Sequence, residues 1–279
     1  MMIREKDFHT ISIKDAYNGE AYRVLPFYRN GREVRGARWG MTLKSAGSMR
    51  FRWNEQNPVR SQMLLELCGR FGAKTAAAVQ LDHTKDVLCI TEADETCGKI
   101  ADGIITKNER IIPVVTVADC VPIFLFDHRT SAFGVVHSGW KGTGIAAVAI
   151  EKMLTHYGSK PDDICVAIGP HIHSCCYLVS EERAEYFRTT FSAGSVQPCQ
   201  QEEREALSAT IRWNYGEGAL FRLSLLNANL AVLKKAGIPD ANITYATDCT
   251  CCTPIFGSNR RETSQGSEFT VQAAFTVRE

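Results

Sequence analysis

Two apolar, β-branched runs end in reactive side chains, and they constrain the fold more than any other feature of the chain. Cys120 follows the run Ile-Ile-Pro-Val-Val-Thr-Val at 111–117, and His137 follows Ala-Phe-Gly-Val-Val at 132–136. Such runs are typical of buried strands. The sequence therefore predicts a thiol and an imidazole at neighbouring strand ends, as a cysteine nucleophile with its base or as two ligands of one metal.

A third metal-capable side chain, His83, follows the apolar segment 76–81. Two imidazoles and one thiolate, with water as the fourth ligand, form the open tetrahedral set of catalytic zinc. The spacing of His83, Cys120 and His137 matches no compact zinc-finger pattern. Free cysteine is also a common small core residue, so the residues alone leave both a metal site and a packed core open.

A glycine-rich turn at 138–144 leads into a helix predicted over 143–157. Backbone N–H groups at a helix N-terminus attract anions. Ser138, Gly139 and the charged Lys141 of this turn are therefore candidates for binding phosphate or carboxylate. The turn does not match the Walker A pattern, and a simple tight turn is the alternative.

A second candidate for anion binding is the polar segment Ser-Asn-Arg-Arg-Glu at 258–262. The guanidinium groups of Arg260 and Arg261 suit a phosphate ligand because they donate several hydrogen bonds in a fixed plane. A solvated loop is the commoner structure for such a run.

Five cysteines lie in two short clusters. Cys249, Cys251 and Cys252 have no second Cys-x2-Cys pair to complete a metal site, so we do not expect one there. Cys175 and Cys176 are adjacent, and we do not expect them to bind one zinc together.

Composition excludes several classes of function. Lys and Arg number 32 against 31 Asp and Glu, a net charge of +1, which disfavours nucleic acid or an anionic membrane as a partner. The first residues are charged and lack an apolar leader, and the eleven cysteines are an odd number. We therefore expect reduced thiols, a cytoplasmic location and a small-molecule ligand.

Strand and helix signals interleave irregularly, and no linker separates them. A helix is predicted from Pro58 to a stop at Gly72, and another after a cap at Ser224. Residues 1–56 are predicted as short strands and turns, and 180–215 as mostly helical. Further strands are predicted at 75–81, 87–91, 103–106, 164–168, 243–246 and 269–277. This pattern predicts mixed α and β structure in a single domain over 1–279.

Five segments together resemble one family: 118–122 (Ala-Asp-Cys-Val-Pro), 137–142 (His-Ser-Gly-Trp-Lys-Gly), 168–172 (Ile-Gly-Pro-His-Ile), 175–177 (Cys-Cys-Tyr) and 258–262. The chain is similar to the laccase-domain, or multicopper polyphenol oxidoreductase, family. Its members are also called purine nucleoside phosphorylases and peptidoglycan editing factors. The resemblance runs from about residue 60 to the C-terminus in matching order.

This resemblance implies an α+β fold, a single-domain mixed β-sheet sandwich layered with α-helices. It implies zinc, with copper as the alternative, bound by His83, Cys120 and His137. The implied activity is phosphorolysis of adenosine, inosine, guanosine and methylthioadenosine, with adenosine deamination as a side activity. Nucleoside and phosphate are then the partners of a monomer or homodimer.

In that reaction Cys120 and His137 lie at the catalytic centre, and Asp119 serves as proton donor or orients its neighbours. The alternative for Asp119 is a turn residue whose carboxylate accepts backbone N–H groups. Phosphate would bind the turn at 138–144 together with Arg260 or Arg261.

Other functions stay open. A metal-free Cys120–His137 pair, as in a related toxin deamidase, would be a hydrolase or amidase acting in peptidoglycan editing. Copper-dependent phenol oxidation is another, although 171–173 is the only His-x-His pair. A non-enzymatic binding role is a third. The chain departs from the family motifs at Leu81, Ser224 and Ser267.

Overall fold

The computed structural model describes residues 8–210 and 220–279 and shows two large sheets packed face to face. The strands are β1 (His9–Ile11), β2 (Tyr22–Arg29), β3 (Arg32–Thr42), β4 (Thr75–Ala78), β5 (Val87–Ile90), β6 (Gly103–Thr106), β7 (Ile111–Val117), β8 (Val121–Asp127), β9 (Phe133–Ser138), β10 (Ile164–Ile168), β11 (Leu178–Ser180), β12 (Val196–Pro198), β13 (Leu220–Leu223), β14 (Ile243–Ala246) and β15 (Gln272–Arg278). The helices are α1 (Pro58–Phe71), α2 (Ile145–Tyr157), α3 (Glu181–Thr190), α4 (Gln201–Thr210), α5 (Leu225–Lys235) and α6 (Asn259–Ser264).

One sheet has seven strands in the order β1-β14-β10-β8-β9-β6-β5, and the other has five in the order β2-β3-β15-β7-β4. A small third sheet joins β11, β13 and β12. Parallel and antiparallel pairs occur in both large sheets, since β8–β9 is antiparallel and β5–β6 is parallel, while β4–β7 is parallel and β7–β15 is antiparallel. The predicted α+β class is confirmed.

Alternating side chains on β8 explain the layering. Phe124 and Phe126 belong to the core between the two sheets, whereas Ile123 and Leu125 belong to the core beneath α2 and α5. The ring of Phe124 packs on Trp39 of β3 with centroids 4.9 Å apart. Successive strand residues point to opposite faces, so a strand buried on both sides is apolar throughout, as β8 is.

Strand β7 shows the same alternation in the second sheet. Val115 faces the core between the sheets, and Val114 packs with Met63 and Leu67 of α1. The order of layers is therefore α1, the five-stranded sheet, the seven-stranded sheet, and then α2 with α5. The predicted mixed β-sheet sandwich layered with helices is confirmed.

The chain passes between the two large sheets at two short connections. Residues 79–86 lead from β4 in the five-stranded sheet to β5 in the seven-stranded sheet, and residues 118–120 lead from β7 to β8. His83 lies in the first connection and Cys120 in the second. Both candidate ligands are therefore placed at one edge of the sandwich.

Most predicted elements are confirmed. Gly72 ends α1 with φ +65°, Gly158 ends α2 with φ +70°, and Ser224 caps α5. Residues 258–262, expected as loop, begin the short helix α6. The part of the predicted helical region at 211–215 lies outside the described residues. Over 8–210 and 220–279, none of the helices combines the length and apolar character needed to cross a bilayer.

Candidate active site

Cys120, His137 and His83 lie together at this edge of the sandwich. Cys120 immediately precedes β8, and His137 lies near the end of β9, opposite Pro122 of β8. Both side chains line the same cavity. The rings of His83 and His137 have centroids 4.9 Å apart. The prediction that rigid strand ends bring a thiol and an imidazole together is confirmed.

Asp102 fixes the positions of these residues through hydrogen bonds. Its side chain is buried, and Oδ1 lies 3.3 Å from Nδ1 of His137. The carboxylate also accepts the backbone N–H groups of His83 and Thr84 at 2.9 and 2.7 Å, and the hydroxyl of Thr84 at 2.7 Å. These bonds hold His83 in the left-handed backbone region, φ +57°, which histidine adopts infrequently.

Electrostatics within this cluster follow from burial and contact. Burial favours the neutral form of His137, but Cys120 and the Asp102 carboxylate outweigh it and raise the pKa of His137 to about 9. Burial and the nearby His137 lower the pKa of His83, against an opposing contribution from Asp102. Hydrogen bonds from His137 and Thr84 overcome burial and keep the pKa of Asp102 below its ordinary value.

His83, Cys120 and His137 offer two imidazole nitrogens and one thiol sulfur as donors. Nitrogen and sulfur donors suit zinc, and also copper. The ligand atoms of His83, Asp102 and His137 lie within 4.8 Å of one another. Asp102 already accepts four hydrogen bonds and does not line the cavity, whereas the other three residues do. Asp102 therefore has the place of a carboxylate that orients a ligating histidine.

Gly139 permits the close approach of the sulfur. A Cβ at this position would lie 3.2 Å from Sγ of Cys120 and 3.4 Å from Cε1 of His137. Such contacts are tighter than ordinary van der Waals packing, so a side chain here would displace one of the two groups.

The three residues line a cavity of about 530 Å³, a volume that accommodates a drug-sized ligand. Its walls come from both sheets, from α3, α5 and α6, and from loops. The lining residues are Arg50, Phe51, Arg52, Leu81, His83, Thr116, Val117, Ala118, Asp119, Cys120, His137, Trp140, Ile172, Tyr177, Arg183, Leu225, Asn259, Arg260, Phe269 and Val271.

Cations and aromatic rings are paired along this wall. The guanidinium carbon of Arg183 lies 4.0 Å from the ring centroid of Trp140, and that of Arg260 lies 5.5 Å from Tyr177. Stacking on aromatic faces fixes guanidinium groups without using their N–H donors. The wall can therefore bind an anion beside a planar ring.

The predicted anion-binding residues fall in different places. Arg260 lines the cavity, and Gly139 lies against the sulfur of Cys120. Ser138 is buried and donates its hydroxyl proton to Asn229 at 2.9 Å. Lys141 is exposed, with Nζ 5.5 Å from the ring of Trp140.

The guanidinium group of Arg261 turns away from the cavity into its own loop. It donates to the backbone carbonyls of Thr250 at 2.6 Å and Cys251 at 3.0 Å, and to that of Phe256. These bonds hold the loop that precedes α6.

Asp119 lies in the turn before Cys120 with φ +77°. One carboxylate oxygen accepts the hydroxyl of Thr250 and the other accepts the backbone N–H of Arg260, both at 2.6 Å. Burial raises the pKa of Asp119 despite these hydrogen bonds. Asp119 lines the cavity and also connects α6 to the turn that holds Cys120. Its contacts are those of a turn residue whose carboxylate accepts a backbone N–H group.

Sequence reasoning missed Asp102 and the arginines 50, 52 and 183. Asp102 precedes a strand within the recognisable segment Ala-Asp-Gly-Ile-Ile-Thr, a signal that could have marked it. The arginines lie in a loop and a helix far along the chain from Cys120, and no local pattern connects them.

The fold and cavity are those of a known class of protein, an α+β sandwich with histidine and cysteine side chains at its edge. Residues 55–273 match the sequence profile of the family described as multi-copper polyphenol oxidoreductase laccase. The chain belongs to this family.

Two relatives carry names of enzymes. Purine nucleoside phosphorylase YlmD of Geobacillus stearothermophilus is 30% identical over 191 residues, which cover 64% of this chain and 65% of that protein. Adenosine deaminase RL5, from an unknown prokaryotic organism, is 33% identical over 172 residues, 61% of this chain and 60% of that protein. The chain thus spans just under two thirds of the length of these curated relatives.

Solved structures match over more of the chain. The crystal structure of YlmD from Geobacillus stearothermophilus superposes with a TM-score of 0.71 at 25% identity, covering 91% of this chain and 97% of that one. The Bacillus licheniformis hypothetical protein YfiH gives 0.69 at 26% identity, with 87% and 93% covered.

Proposed function

We propose that this chain is a zinc-dependent purine nucleoside phosphorylase with adenosine deaminase side activity, acting on adenosine, inosine, guanosine and methylthioadenosine. The observation that supports this most is the composition of the cavity, in which the donor set of His83, Cys120 and His137 shares one space with arginines and aromatic rings. The names of the two relatives point to the same two reactions.

The aromatic residues would bind the purine. Trp140 and Tyr177 line the cavity, each with a guanidinium carbon within 5.5 Å of its ring centroid. A purine is planar and apolar on its faces, so it gains from contact with such rings. Arg183 and Arg260 would then bind phosphate beside the ribose.

Phosphorolysis needs phosphate positioned against the anomeric carbon while the base leaves. Guanidinium groups fixed before the substrate arrives supply position and offset the charge of the attacking oxygen. Asp119 lies between the Cys120 turn and Arg260. With its pKa raised by burial, it is our candidate to donate a proton to the leaving base.

Zinc, when bound, would act as a Lewis acid and lower the pKa of a bound water to about 7. The protein holds the ligands in place: Asp102 bonds Nδ1 of His137 and thereby leaves Nε2 to face the metal position. Copper fits the same donors, and metal analysis of protein purified without added metal would identify the resident ion.

The test is turnover of adenosine by zinc-loaded protein, with and without phosphate. We expect adenine and ribose phosphate only when phosphate is present, and inosine in either case. Cys120→Ala should abolish both products, while Cys97→Ala, at an exposed position, should retain them. Absence of any product from wild-type protein with zinc bound would contradict the proposal.

A second candidate is a metal-free cysteine hydrolase or amidase. Cys120 and His137 line one cavity and Asp102 contacts Nδ1 of His137, so the three residues have the order of a nucleophile, its base and an orienting acid. Metal-free protein should then be alkylated by iodoacetamide at Cys120 faster than at Cys97. Equal rates would exclude an activated nucleophile.

We further propose that the enzyme works in the cytoplasm on small molecules. None of its eleven cysteines forms a disulfide, which suits a reducing compartment. Fractionation of cells expressing the chain at its natural level would test this location.

A further inference from the structure

Four cysteines from two distant segments meet outside the cavity. Cys175 and Cys176 lie between β10 and β11, and Cys249 and Cys252 lie in the loop between β14 and α6. The four Sγ atoms all lie within 4.8 Å of one another. The two segments are separated by more than seventy residues in the chain, which is why the local spacing of either one gave no indication of a site.

Two of the distances between sulfurs are close to those around a shared zinc, the third is shorter, and all three are far longer than a disulfide bond. Sγ of Cys175 lies 3.8 Å from that of Cys176 and 3.7 Å from that of Cys252, and Cys176 and Cys252 are 3.2 Å apart. Four sulfurs at 2.3 Å from a central zinc lie about 3.8 Å from each other. A disulfide needs about 2.05 Å.

The backbone around these sulfurs is held in place. The N–H of His173 donates to Sγ of Cys249 at 3.4 Å, and the N–H of Thr250 donates to the carbonyl of His171 at 3.0 Å. Arg261 donates to the carbonyls of Thr250 and Cys251 and places its charge beside this loop. A cation there offsets part of the negative charge that four thiolates carry around a divalent ion.

We propose, against the expectation from sequence, that Cys175, Cys176, Cys249 and Cys252 form a second metal site, a closed structural zinc site distinct from the one at the cavity. Although Cys175 and Cys176 are adjacent in the chain, their sulfurs lie 3.8 Å apart, a separation that two thiolates on one zinc adopt. Four thiolates complete the tetrahedron and leave no open position, which is typical of structural zinc. Each thiol loses its proton to solvent as it binds. Cys175 and Cys252 are exposed, which gives the ion a path of entry.

The site would stabilise one wall of the cavity. The carbonyl of Cys176 accepts a hydrogen bond from Arg260 at 3.4 Å, and the next residue, Tyr177, lines the cavity. From the other segment, Thr250 bonds Asp119. A metal that joins the two segments therefore fixes Tyr177, Arg260 and Asp119 relative to one another.

Metal content per chain tests this directly, on full-length protein purified with zinc under reducing conditions. We expect two zinc ions in wild type and in Cys97→Ser. Cys175→Ser and Cys252→Ser should each retain one, and so should His83→Ala, which removes the cavity site instead. The exposed cysteines are chosen because their replacement leaves the core intact.

Cobalt distinguishes which site remains. In His83→Ala the remaining cobalt should show the strong near-ultraviolet charge-transfer band of four thiolates, and in Cys252→Ser the weaker band of one. The proposal would be overturned if wild type bound one zinc per chain and lost it in His83→Ala but not in Cys252→Ser. An intact mass lower by two hydrogens, showing a disulfide, would also overturn it. If wild type bound one zinc per chain and only Cys252→Ser lost it, the result would support the cysteine site and contradict the cavity site.

Discussion

At the scale of single residues, Asp102 shapes the site although it does not line the cavity. Its carboxylate fixes the ring of His137 and the backbone of His83. In Asp102→Asn an amide replaces a charged acceptor, so the ring loses its orientation. We expect the zinc affinity of the cavity site to fall about 10- to 100-fold, measured by competition with a chromophoric chelator in a Cys252→Ser background.

Asp82→Asn is the matched control for this measurement. Asp82 is exposed and lies beside His83 in the connection at 79–86, so the same change of charge should leave affinity within about twofold, as surface substitutions do. Equal losses in the two variants would indicate that net charge, rather than the orientation of His137, determines affinity.

A second prediction at this scale concerns Gly139. Because a Cβ would meet both Cys120 and His137, Gly139→Ala should displace the sulfur and lower kcat by about 10- to 100-fold while the protein stays folded. Gly69→Ala serves as control, since a Cβ on that helical glycine meets nothing within 4 Å. Circular dichroism would check that both variants are folded, and turnover would be measured on both. Intact activity in Gly139→Ala would refute the prediction.

The residues that could be predicted are those whose local sequence is informative. Cys120 and His137 follow the apolar runs of β7 and β9, and the pairing of β8 with β9 places the turn that holds Cys120 beside the end of β9. Asp102 and Arg183 take part through tertiary contacts alone. Their roles depend on which strands and helices become neighbours, and a short local pattern does not encode that.

At the scale of elements, Ser224 caps α5. Its hydroxyl accepts the backbone N–H of Asn227 at 3.1 Å. Serine and aspartate both cap helices well, so either residue can begin this helix.

We expect Ser224→Ala to lower the free energy of unfolding by about 1 kcal/mol, measured by urea denaturation. Ser224→Asp should leave it almost unchanged, because a carboxylate accepts the same N–H group. If both substitutions destabilised equally, the hydroxyl would have a role other than capping.

Strands and helices with a clear apolar period were predicted well, and α6 was not. The strands at 164–168 and 243–246 have the predicted bounds. The sequence of α6, Asn-Arg-Arg-Glu-Thr-Ser, has no apolar stripe. It is helical because Ser258 and Asp119 accept the N–H groups of its first turn, and the second of these contacts spans 141 residues.

At the scale of the whole molecule, the cavity exists because the chain crosses between sheets at one edge. The connections at 79–86 and 118–120 carry His83 and Cys120. A buried strand has the same apolar sequence pattern in either sheet. The sequence therefore predicts the strands but not the sheet to which each strand belongs. The position of the site depends on the sheet to which each strand belongs.

Asp127, at the opposite end of the β8–β9 hairpin, contributes to how the stability of the molecule responds to acid. Asp127 is buried and accepts N–H groups of Arg129 and Thr130 at 2.7 and 3.1 Å, and the hydroxyl of Thr130 at 2.7 Å. Burial alone would raise its pKa, but hydrogen bonds, first that of Ser159, outweigh burial and lower the pKa of Asp127. The folded state therefore favours the ionised carboxylate.

A carboxylate with a lowered pKa adds stability that is present above its unfolded pKa of about 3.9 and is lost as pH falls through the folded value. Asp127→Asn should therefore reduce the free energy of unfolding by about 1–3 kcal/mol at pH 6 to 8. The difference between wild type and variant should shrink steadily below about pH 4. Urea unfolding across this range would measure it. A difference that stayed constant down to pH 3 would show that Asp127 acts through packing, with no contribution from its charge.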